Sequence, residues 1–290
     1  MPLGTAHMTT TTGDVFRPEV WSPEVLRATE NALVMANLVK RFDSLVTGKG
    51  DVINIPNLSN LTASDKSAST QVTLQSPTEV NTQISINKHK ESSFLIEDLL
   101  KVQSNYELMA EYTSKAGESI ARQIDTDLLN EYTNFTNTDV GTYGTDITDA
   151  VIVAAAEALD LANAPAEDRA FVIYPTQKSA LLRLEKFVKS DWLGQYQSPT
   201  VVKTGVPSRF MWGDIYGVPT YYTKQVPLTA GTPTQTHNVF IHKEALALAL
   251  QLAPRTQSAY IIEYLSNLTV VDTIYGVKPI RTDFGIEVRS

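Results

Sequence analysis

The sequence contains no cysteine, so disulfide bonds, thiolate metal sites and cysteine nucleophiles are excluded. It also lacks a long hydrophobic run: the longest apolar stretch is residues 150–156, whereas a membrane-spanning helix needs about 20 apolar residues. The first residues, MPLGTAHMTTTT, show neither the basic block nor the apolar block of a secretory signal. We therefore expect neither a membrane protein nor a disulfide-stabilised scaffold.

Acidic residues outnumber basic residues in this chain. The chain has 24 Lys and Arg against 32 Asp and Glu, which gives a net charge of −8. Binding of nucleic acid through a basic face depends on clustered Lys and Arg, because neutralising phosphates releases counterions. This balance argues against a nucleic-acid-binding face. The rest of the composition is that of an ordered protein, with 42% hydrophobic residues over 290 positions, a length that predicts one or two domains.

Residues suited to metal binding or acid–base catalysis are also scarce. The chain has four histidines, of which His237 and His242 are five positions apart with a strand pattern between them. An odd spacing on a strand puts the two side chains on opposite faces. His7 lies in the tail and His89 among charged residues of another strand. We expect surface or hydrogen-bonded core histidines, with no metal site, no cofactor and no catalytic residues.

Other chemical motifs are equally weak. Asp125 and Asp127 lie on a predicted helix about 200° apart, so they cannot act as one acid–base pair. The segment YPTQKSA lacks the glycines of a phosphate-binding loop. A lysine–asparagine isopeptide cross-link needs a buried acid beside the pair, which no spacing here indicates. Solvated side chains are therefore the favoured interpretation of the candidate lysines Lys49, Lys66, Lys88 and Lys90.

The N-terminal stretch predicts an extended lead-in followed by a helix. Ser22 is a candidate N-cap with Pro23 at the first helical position, and apolar residues then recur at helical spacing. Phe16, Val20 and Trp21 are large apolar side chains without an evident local core. The helix either packs on the chain's own core, which is the favoured interpretation, or belongs to an arm that lies on a neighbouring subunit.

A long polar hairpin is predicted next. GDVINIP gives a short strand, and the alternation over residues 80–87 gives a second one. The intervening residues 57–79 are mostly Ser, Thr, Asn, Asp and Gln, so the far end cannot bury much surface in its own chain. Such a ribbon needs a partner surface to be ordered. Candidate contacts to another subunit are Leu58, Leu61, Asp65, Lys66, Val72 and Leu74.

A long helix is predicted after the hairpin. Ser104 and Glu107 form a capping box, and apolar residues follow at steps of three and four as far as Phe135. A helix of that length would be about 46 Å long, a scaffold element for other segments. A coiled coil is the rival interpretation, but the apolar steps average closer to 3.7 than to the 3.5 of a coiled coil.

The remainder indicates a mixed α/β layer followed by β-structure. A helix is predicted over residues 147–163, a buried strand over 170–174 and another helix from Pro175. NVFIHKEALALALQL predicts a strand followed by a short helix or a second strand. The last 31 residues predict long β-strands broken near Gly276 and Gly285. The fold class is therefore α+β.

The order of these elements, together with several local strings, resembles the major capsid protein family of tailed bacteriophages, whose shell fold is shared with encapsulins. The strings are FRPEVWSPEVL, GDVINIP, AFVIYPTQKSALLRLEKF, DIYGVPTYYTKQVP, NVFIHKEALALAL and VVDTIYGVKPIRTDFGIEV. The resemblance implies the phage major-capsid fold: an N-terminal arm, an extended β-hairpin loop, a long spine helix, a peripheral (P) domain and an axial (A) domain.

The resemblance also implies boundaries. Residues 1–47 would be the N-terminal arm and residues 48–96 the extended loop (E-loop). Residues 97–144 would form the spine helix and peripheral domain, together with a returning β-arm over residues 246–280. Residues 145–245 would form the axial domain, together with residues 281–290.

The function implied is that of a non-enzymatic shell protein which assembles into the pentamers and hexamers of an icosahedral phage head. The expected partners are other copies of the chain and the portal, scaffolding or decoration proteins of the phage. DNA would be enclosed without sequence-specific binding. The expected location is the virion, after assembly in the host cytoplasm. An encapsulin-type compartment is the nearest alternative, and an α/β enzyme with a dimerisation arm is a remote one.

Overall fold

A computed structural model of the chain describes residues 33–46, 50–57, 61–72, 74–77, 80–98, 108–184 and 211–290. Among these residues, no helix is both long enough and apolar enough to cross a bilayer. The helices of the described part are α1 (Met35–Leu38), α2 (Leu108–Leu129), α3 (Asp149–Leu161) and α4 (Pro175–Leu181). Its strands are β1 (Lys40–Arg41), β2 (Val52–Asn57), β3 (Val80–Ser85), β4 (Lys88–Glu97), β5 (Val140–Gly141), β6 (Arg169–Ile173), β7 (Met211–Ile215), β8 (Val218–Tyr222), β9 (Leu228–Thr229), β10 (Gln235–His242), β11 (Leu246–Ile261), β12 (Ser266–Pro279) and β13 (Gly285–Arg289).

The first sheet has four strands in the order β1-β11-β12-β4. Strands β11 and β12 are antiparallel over most of their length, so the predicted choice between a helix and a second strand after residue 245 is resolved as a strand. Strand β4 pairs with β12 from Lys88 to Glu97. The predicted E-loop, residues 48–96, therefore includes nine residues that lie in this sheet. The strand lies at the sheet edge, and its residues mostly alternate between half-buried and exposed.

The second sheet has seven strands. Its order is β5-β13-β10-β6-β8-β7, with the short β9 paired to the end of β10. All five residues of β6 are buried, as expected from its continuous apolar sequence. Pro175 occupies the start of α4, where a missing backbone N–H costs nothing. The helix and strand predicted over residues 147–174 are confirmed, with bounds that differ by one or two residues.

The spine helix ends earlier than its sequence pattern indicated. In the described residues helix α2 covers Leu108–Leu129, about 33 Å, and then tightens into a 3₁₀ turn at Asn130–Asn134. The capping box at Ser104 and Glu107 lies outside the described residues. One face of α2 is buried, as the apolar spacing predicted, through Ala116, Ile120, Ile124 and Leu128.

The predicted break at Gly276 is wrong: β12 continues through it to Pro279. Glycine is required there because a Cβ at this position would overlap the backbone carbonyl oxygen of Ser85 at the end of β3. The chain reverses instead at Leu265, which adopts a left-handed conformation after the 3₁₀ turn Ile262–Tyr264. The interruption predicted near Gly285 is present as the 3₁₀ turn Thr282–Phe284.

A buried carboxylate joins the segment before β1 to the spine helix. Asp125 is 1% exposed. It accepts backbone N–H bonds from Val34 at 2.7 Å, Met35 at 3.0 Å and Ala36 at 3.3 Å. The first N–H groups of a helix have no partner within that helix, so Asp125 satisfies donors that burial would otherwise leave unpaired.

The close approach at Gly276 predicts that G276A destabilises the chain. The added Cβ has no space unless β3 moves away from β12, and overpacking of this kind costs about 2 kcal/mol. Denaturant unfolding of unassembled G276A should therefore show a lower midpoint at unchanged slope. An unchanged midpoint would contradict the close approach.

The Asp125 contact predicts that D125A lowers the free energy of unfolding by about 3 kcal/mol, because buried backbone donors are left unpaired. Denaturant unfolding of the unassembled protein measures this change. The control is R122A, which removes a charged side chain from the exposed face of the same helix, where it pairs with Glu118. Loss of this surface pair should change stability by less than about 0.5 kcal/mol.

The same carboxyl predicts a pH dependence. Burial raises the pKa of Asp125 to about 7, against the opposing effect of its three N–H bonds. The folded chain therefore holds this proton more tightly than the unfolded chain does. The contribution of the group to stability is full below about pH 4 and is lost as the pH rises through about 7. Unfolding midpoints measured from about pH 4 to about pH 8 should show this slope in the wild type and not in D125A.

Candidate functional site

The base of the hairpin β2–β3 is fixed to its own chain. Ile53 and Ile84 are cross-strand partners and are both buried. They form a small apolar cluster with Val46, Ala247 and Ala249, which lie before the hairpin and on β11. The hairpin therefore leaves the four-stranded sheet from a packed base.

The far end of the hairpin buries nothing within the described part of the chain. Every described residue from 61 to 77 is exposed, and none of them is in a strand. The exposed fractions are 70% for Leu61, 60% for Val72 and 84% for Leu74. Asp65 and Lys66 are exposed between them. Apolar side chains exposed together in this way are typical of an interaction surface.

The other candidate contact residues are not all described. Leu58 lies outside the described residues, as do Phe16, Val20 and Trp21 of the predicted arm. The structure describes residues 33–46 of the predicted arm. Of these, residues 33–36, 38 and 39 pack on the chain's own core, whereas residues 41, 44 and 45 are exposed. Packing on the chain's own core, the interpretation favoured from the sequence, therefore holds for the buried residues of this part. Contacts of the preceding residues with a neighbouring subunit stay a prediction.

A second exposed apolar surface lies where β11 turns into β12. We call it the turn surface, and it was not singled out from the sequence. Its exposed fractions run from 45% to 76%, although the string AYIIEYL reads as a continuous buried strand. Its position could have indicated exposure, because it lies at the turn between two strands of 16 and 14 residues. The turn surface consists of Leu95, Tyr260, Ile262, Tyr264 and Leu265.

The titratable groups are mostly paired in structural contacts. Asp125 and Asp127 face different partners, as predicted, because Asp127 accepts a hydrogen bond from the Tyr275 hydroxyl at 2.7 Å and lies 3.2 Å from the Lys88 ammonium. His89 lies 3.3 Å from Asp272. In the described ranges, no three His, Asp or Glu side chains are grouped in a way that could hold a metal ion.

His237 is buried and has partners at both ring nitrogens. Nδ1 lies 2.6 Å from Glu287 Oε1 and Nε2 lies 2.9 Å from the Thr229 hydroxyl. The Tyr143 hydroxyl donates to Glu287 at 2.8 Å, and burial together with this carboxylate raises the pKa of Tyr143 to about 12. The sequence did not predict this group, because its members are brought together by the pairing of β10 with β13 and not by spacing along the chain.

A polar groove lies between the N-terminal segment and the turn from β10 to β11. Its volume is about 740 Å³. Lys40 and Glu244 pair across it at 2.8 Å. Three basic and three acidic side chains line it, so its charge favours no one class of ligand: Lys40, Arg41, Lys243, Glu167, Asp168 and Glu244.

Comparison with known proteins gives likenesses of structure. No family model matches the chain, and no curated protein matches it. A chain from Mycobacterium phage Che8 is 23% identical, with a TM-score of 0.71 over 88% of this chain and 90% of that one. A chain from the capsid of cyanophage P-SCSP1u is 16% identical, with a TM-score of 0.66 over 99% and 92%.

A third likeness is to the virus-like particle from Pyrococcus furiosus, which is 10% identical with a TM-score of 0.60 over 93% of this chain and 98% of that one. The three likenesses cover 88–99% of this chain and 90–98% of the other chain. At these identities each is a likeness of fold, and the chain has the α+β shell fold of phage major capsid proteins.

Proposed function

We propose that this chain is the major capsid protein of a tailed bacteriophage head. Copies of it would self-assemble into pentamers and hexamers of an icosahedral shell that encloses DNA. The observation that carries the proposal is the far end of the hairpin, where Leu61, Val72 and Leu74 are exposed on a segment without a core of its own. The fold likeness to phage capsid chains supports the same role.

The assembly follows from contacts that are individually weak. A head-to-tail contact between copies closes into a ring, and rings that share further contacts form a shell. A subunit held by several neighbours leaves only when all its contacts break together, so modest affinities give a stable particle. In this arrangement the E-loop lies on a neighbouring subunit of the same ring, and its apolar side chains are buried against that subunit.

The remaining parts of the proposal concern location and partners. Enclosed DNA would be held without sequence-specific binding, in keeping with the net charge of −8. Portal, scaffolding or decoration proteins would complete the head in the virion, which would be assembled in the host cytoplasm. The role is structural and requires no catalytic step.

The two sheets support a division into peripheral and axial domains. The four-stranded sheet and α2 would form the peripheral domain, with residues 246–280 as its returning β-arm. The seven-stranded sheet would form the axial domain. Residues 140–141 pair with β13 in that sheet, so the axial part would take in a few residues that the sequence assigned to the peripheral domain.

A second candidate is the shell of an encapsulin-type compartment. The likeness to the virus-like particle from Pyrococcus furiosus is the observation that points to this alternative. The contents of the particle discriminate the two functions. A phage shell encloses DNA, whereas a compartment encloses a protein cargo.

Assembly of the full chain tests the proposal directly. The chain expressed alone, or with the genes around its own gene, should give closed shells or rings in negative-stain electron microscopy and light scattering. Limited proteolysis should cut residues 61–77 first in unassembled protein and spare them in shells. A monomer in both cases, with a protease-resistant loop, would overturn the proposal.

The exposed apolar residues of the E-loop predict a separation of folding from assembly. The triple variant L61D/V72D/L74D should keep the unfolding midpoint of the wild type, because these side chains are 60–84% exposed in the chain itself. It should not form shells, since a charge buried in an interface costs several kcal/mol. Sedimentation measures assembly and denaturant unfolding measures stability.

The matched control is S67D, which adds a charge to the same loop without removing an apolar side chain. It should assemble as the wild type does. Assembly of the triple variant would show that these side chains do not lie in an interface, and failure of S67D would show that charge alone blocks assembly.

A further inference from the structure

A hydroxyl, an imidazole and a carboxylate lie in line where β9, β10 and β13 meet. The Thr229 hydroxyl lies 2.9 Å from His237 Nε2, and His237 Nδ1 lies 2.6 Å from Glu287 Oε1. Both distances are within hydrogen-bond range. This is the order nucleophile, base and orienting acid that activates a hydroxyl for attack on a carbonyl carbon.

The base and the acid are held rigidly. The side chains of His237 and Glu287 are 5% and 6% exposed. Tyr132 stacks on the imidazole with the ring centres 4.5 Å apart, and Tyr143 packs against its edge at 5.4 Å. These ring contacts and the two hydrogen-bond partners restrict rotation of the imidazole.

The surroundings of Glu287 favour the tautomer that the chemistry needs. Oε1 also accepts the Tyr143 hydroxyl at 2.8 Å, and the Arg289 guanidinium lies 3.4 Å away. Glu287 Oε1 thus acts as an acceptor here, so the partner nitrogen Nδ1 is the donor. In the neutral imidazole the proton is then on Nδ1, which leaves Nε2 able to accept from the Thr229 hydroxyl.

The nucleophile is accessible although its partners are not. Both residues of β9 are exposed, whereas the contact of the Thr229 hydroxyl with His237 is partly buried. A histidine that serves only to hold the core together needs a hydrogen-bond partner at Nε2, and a buried partner would serve equally well. The partner here belongs to an exposed residue, which a purely structural role does not explain.

We propose that Thr229 is the nucleophile of an acyl-transfer site, with His237 as its base and Glu287 as the positioning residue. The acyl donors it would take are small carboxylic esters, because the hydroxyl lies on an exposed strand and not in a deep pocket. This reactivity is separate from assembly and does not depend on the proposed shell function.

The reaction balances without a further reagent. Thr229 Oγ1 attacks the ester carbonyl carbon while His237 Nε2 takes the hydroxyl proton. The tetrahedral intermediate then expels the alcohol, which leaves with that proton, and Thr229 carries an ester of the acyl group. Water attacks this ester by the same route, with His237 as the base, and releases the carboxylic acid and the free hydroxyl.

The test uses the full chain and p-nitrophenyl acetate. Release of p-nitrophenolate gives the rate, and peptide mass spectrometry gives the fraction of Thr229 that is acetylated. Acetylation of the exposed Lys66 in the same sample is the internal standard for reagent and exposure time. T229A removes the hydroxyl partner of the buried His237 Nε2, so circular dichroism checks its folding, and T229S keeps the hydroxyl.

We expect acetylation of Thr229 in the wild type and of the serine in T229S. The exposed Thr234, which is close to Thr229 in the chain, is the matched control. Its own acetylation should be slower by about 100-fold, and T234A should leave Thr229 acetylation unchanged. E287Q should reduce Thr229 acetylation relative to Lys66 acetylation by a similar factor, and E287D should restore part of it.

A Thr229 acetylated no faster than Thr234 would overturn the proposal. An E287Q variant with a wild-type ratio of Thr229 to Lys66 acetylation would remove Glu287 from it, and circular dichroism of E287Q would show that the comparison is made on a folded chain. All measurements are made on unassembled protein, in which Lys66 of the E-loop is exposed, so each outcome is independent of whether the chain forms shells.

Discussion

The pairing of β11 with β12 is the interaction on which the rest of the peripheral part depends. These strands bind β1 on one side and β4 on the other, and β11 provides Ala247 and Ala249 to the base of the hairpin. The Tyr275 hydroxyl of β12 donates to Asp127 of the spine helix. The first segment, hairpin and spine helix are thus placed by two strands near the C-terminal end. None of them can take its final position before that part is made and paired.

The elements with a strong local pattern could be predicted from the sequence. The alternation after Val80, the buried strand before Pro175 and the apolar face of α2 each follow from spacing alone. The strand around His89 could be predicted, but not its pairing with β12, because a strand pattern does not show which strand lies beside it. The prediction at Gly276 was wrong because the sequence does not distinguish a glycine needed for a turn from one needed where two backbones approach closely. Here β12 approaches the backbone of Ser85.

The candidate site shows the same division. The exposed Leu61, Val72 and Leu74 were predicted, because a polar segment with isolated apolar residues has no core to give them. The turn surface was missed because a dense apolar string normally predicts burial. The group around His237 has no sequence pattern at all, since Glu287 is 50 residues away and reaches it only through the register of β10 and β13.

The bond between Asp125 and residues 34–36 has a mechanical consequence. It joins segments about 90 residues apart in the sequence, so tension on the chain before residue 33 passes directly into α2. The hairpin lies between these segments in the sequence but outside this load path. In a shell under internal pressure, the arm and the spine helix would carry force together, and the hairpin would stay free to follow the curvature of its neighbours.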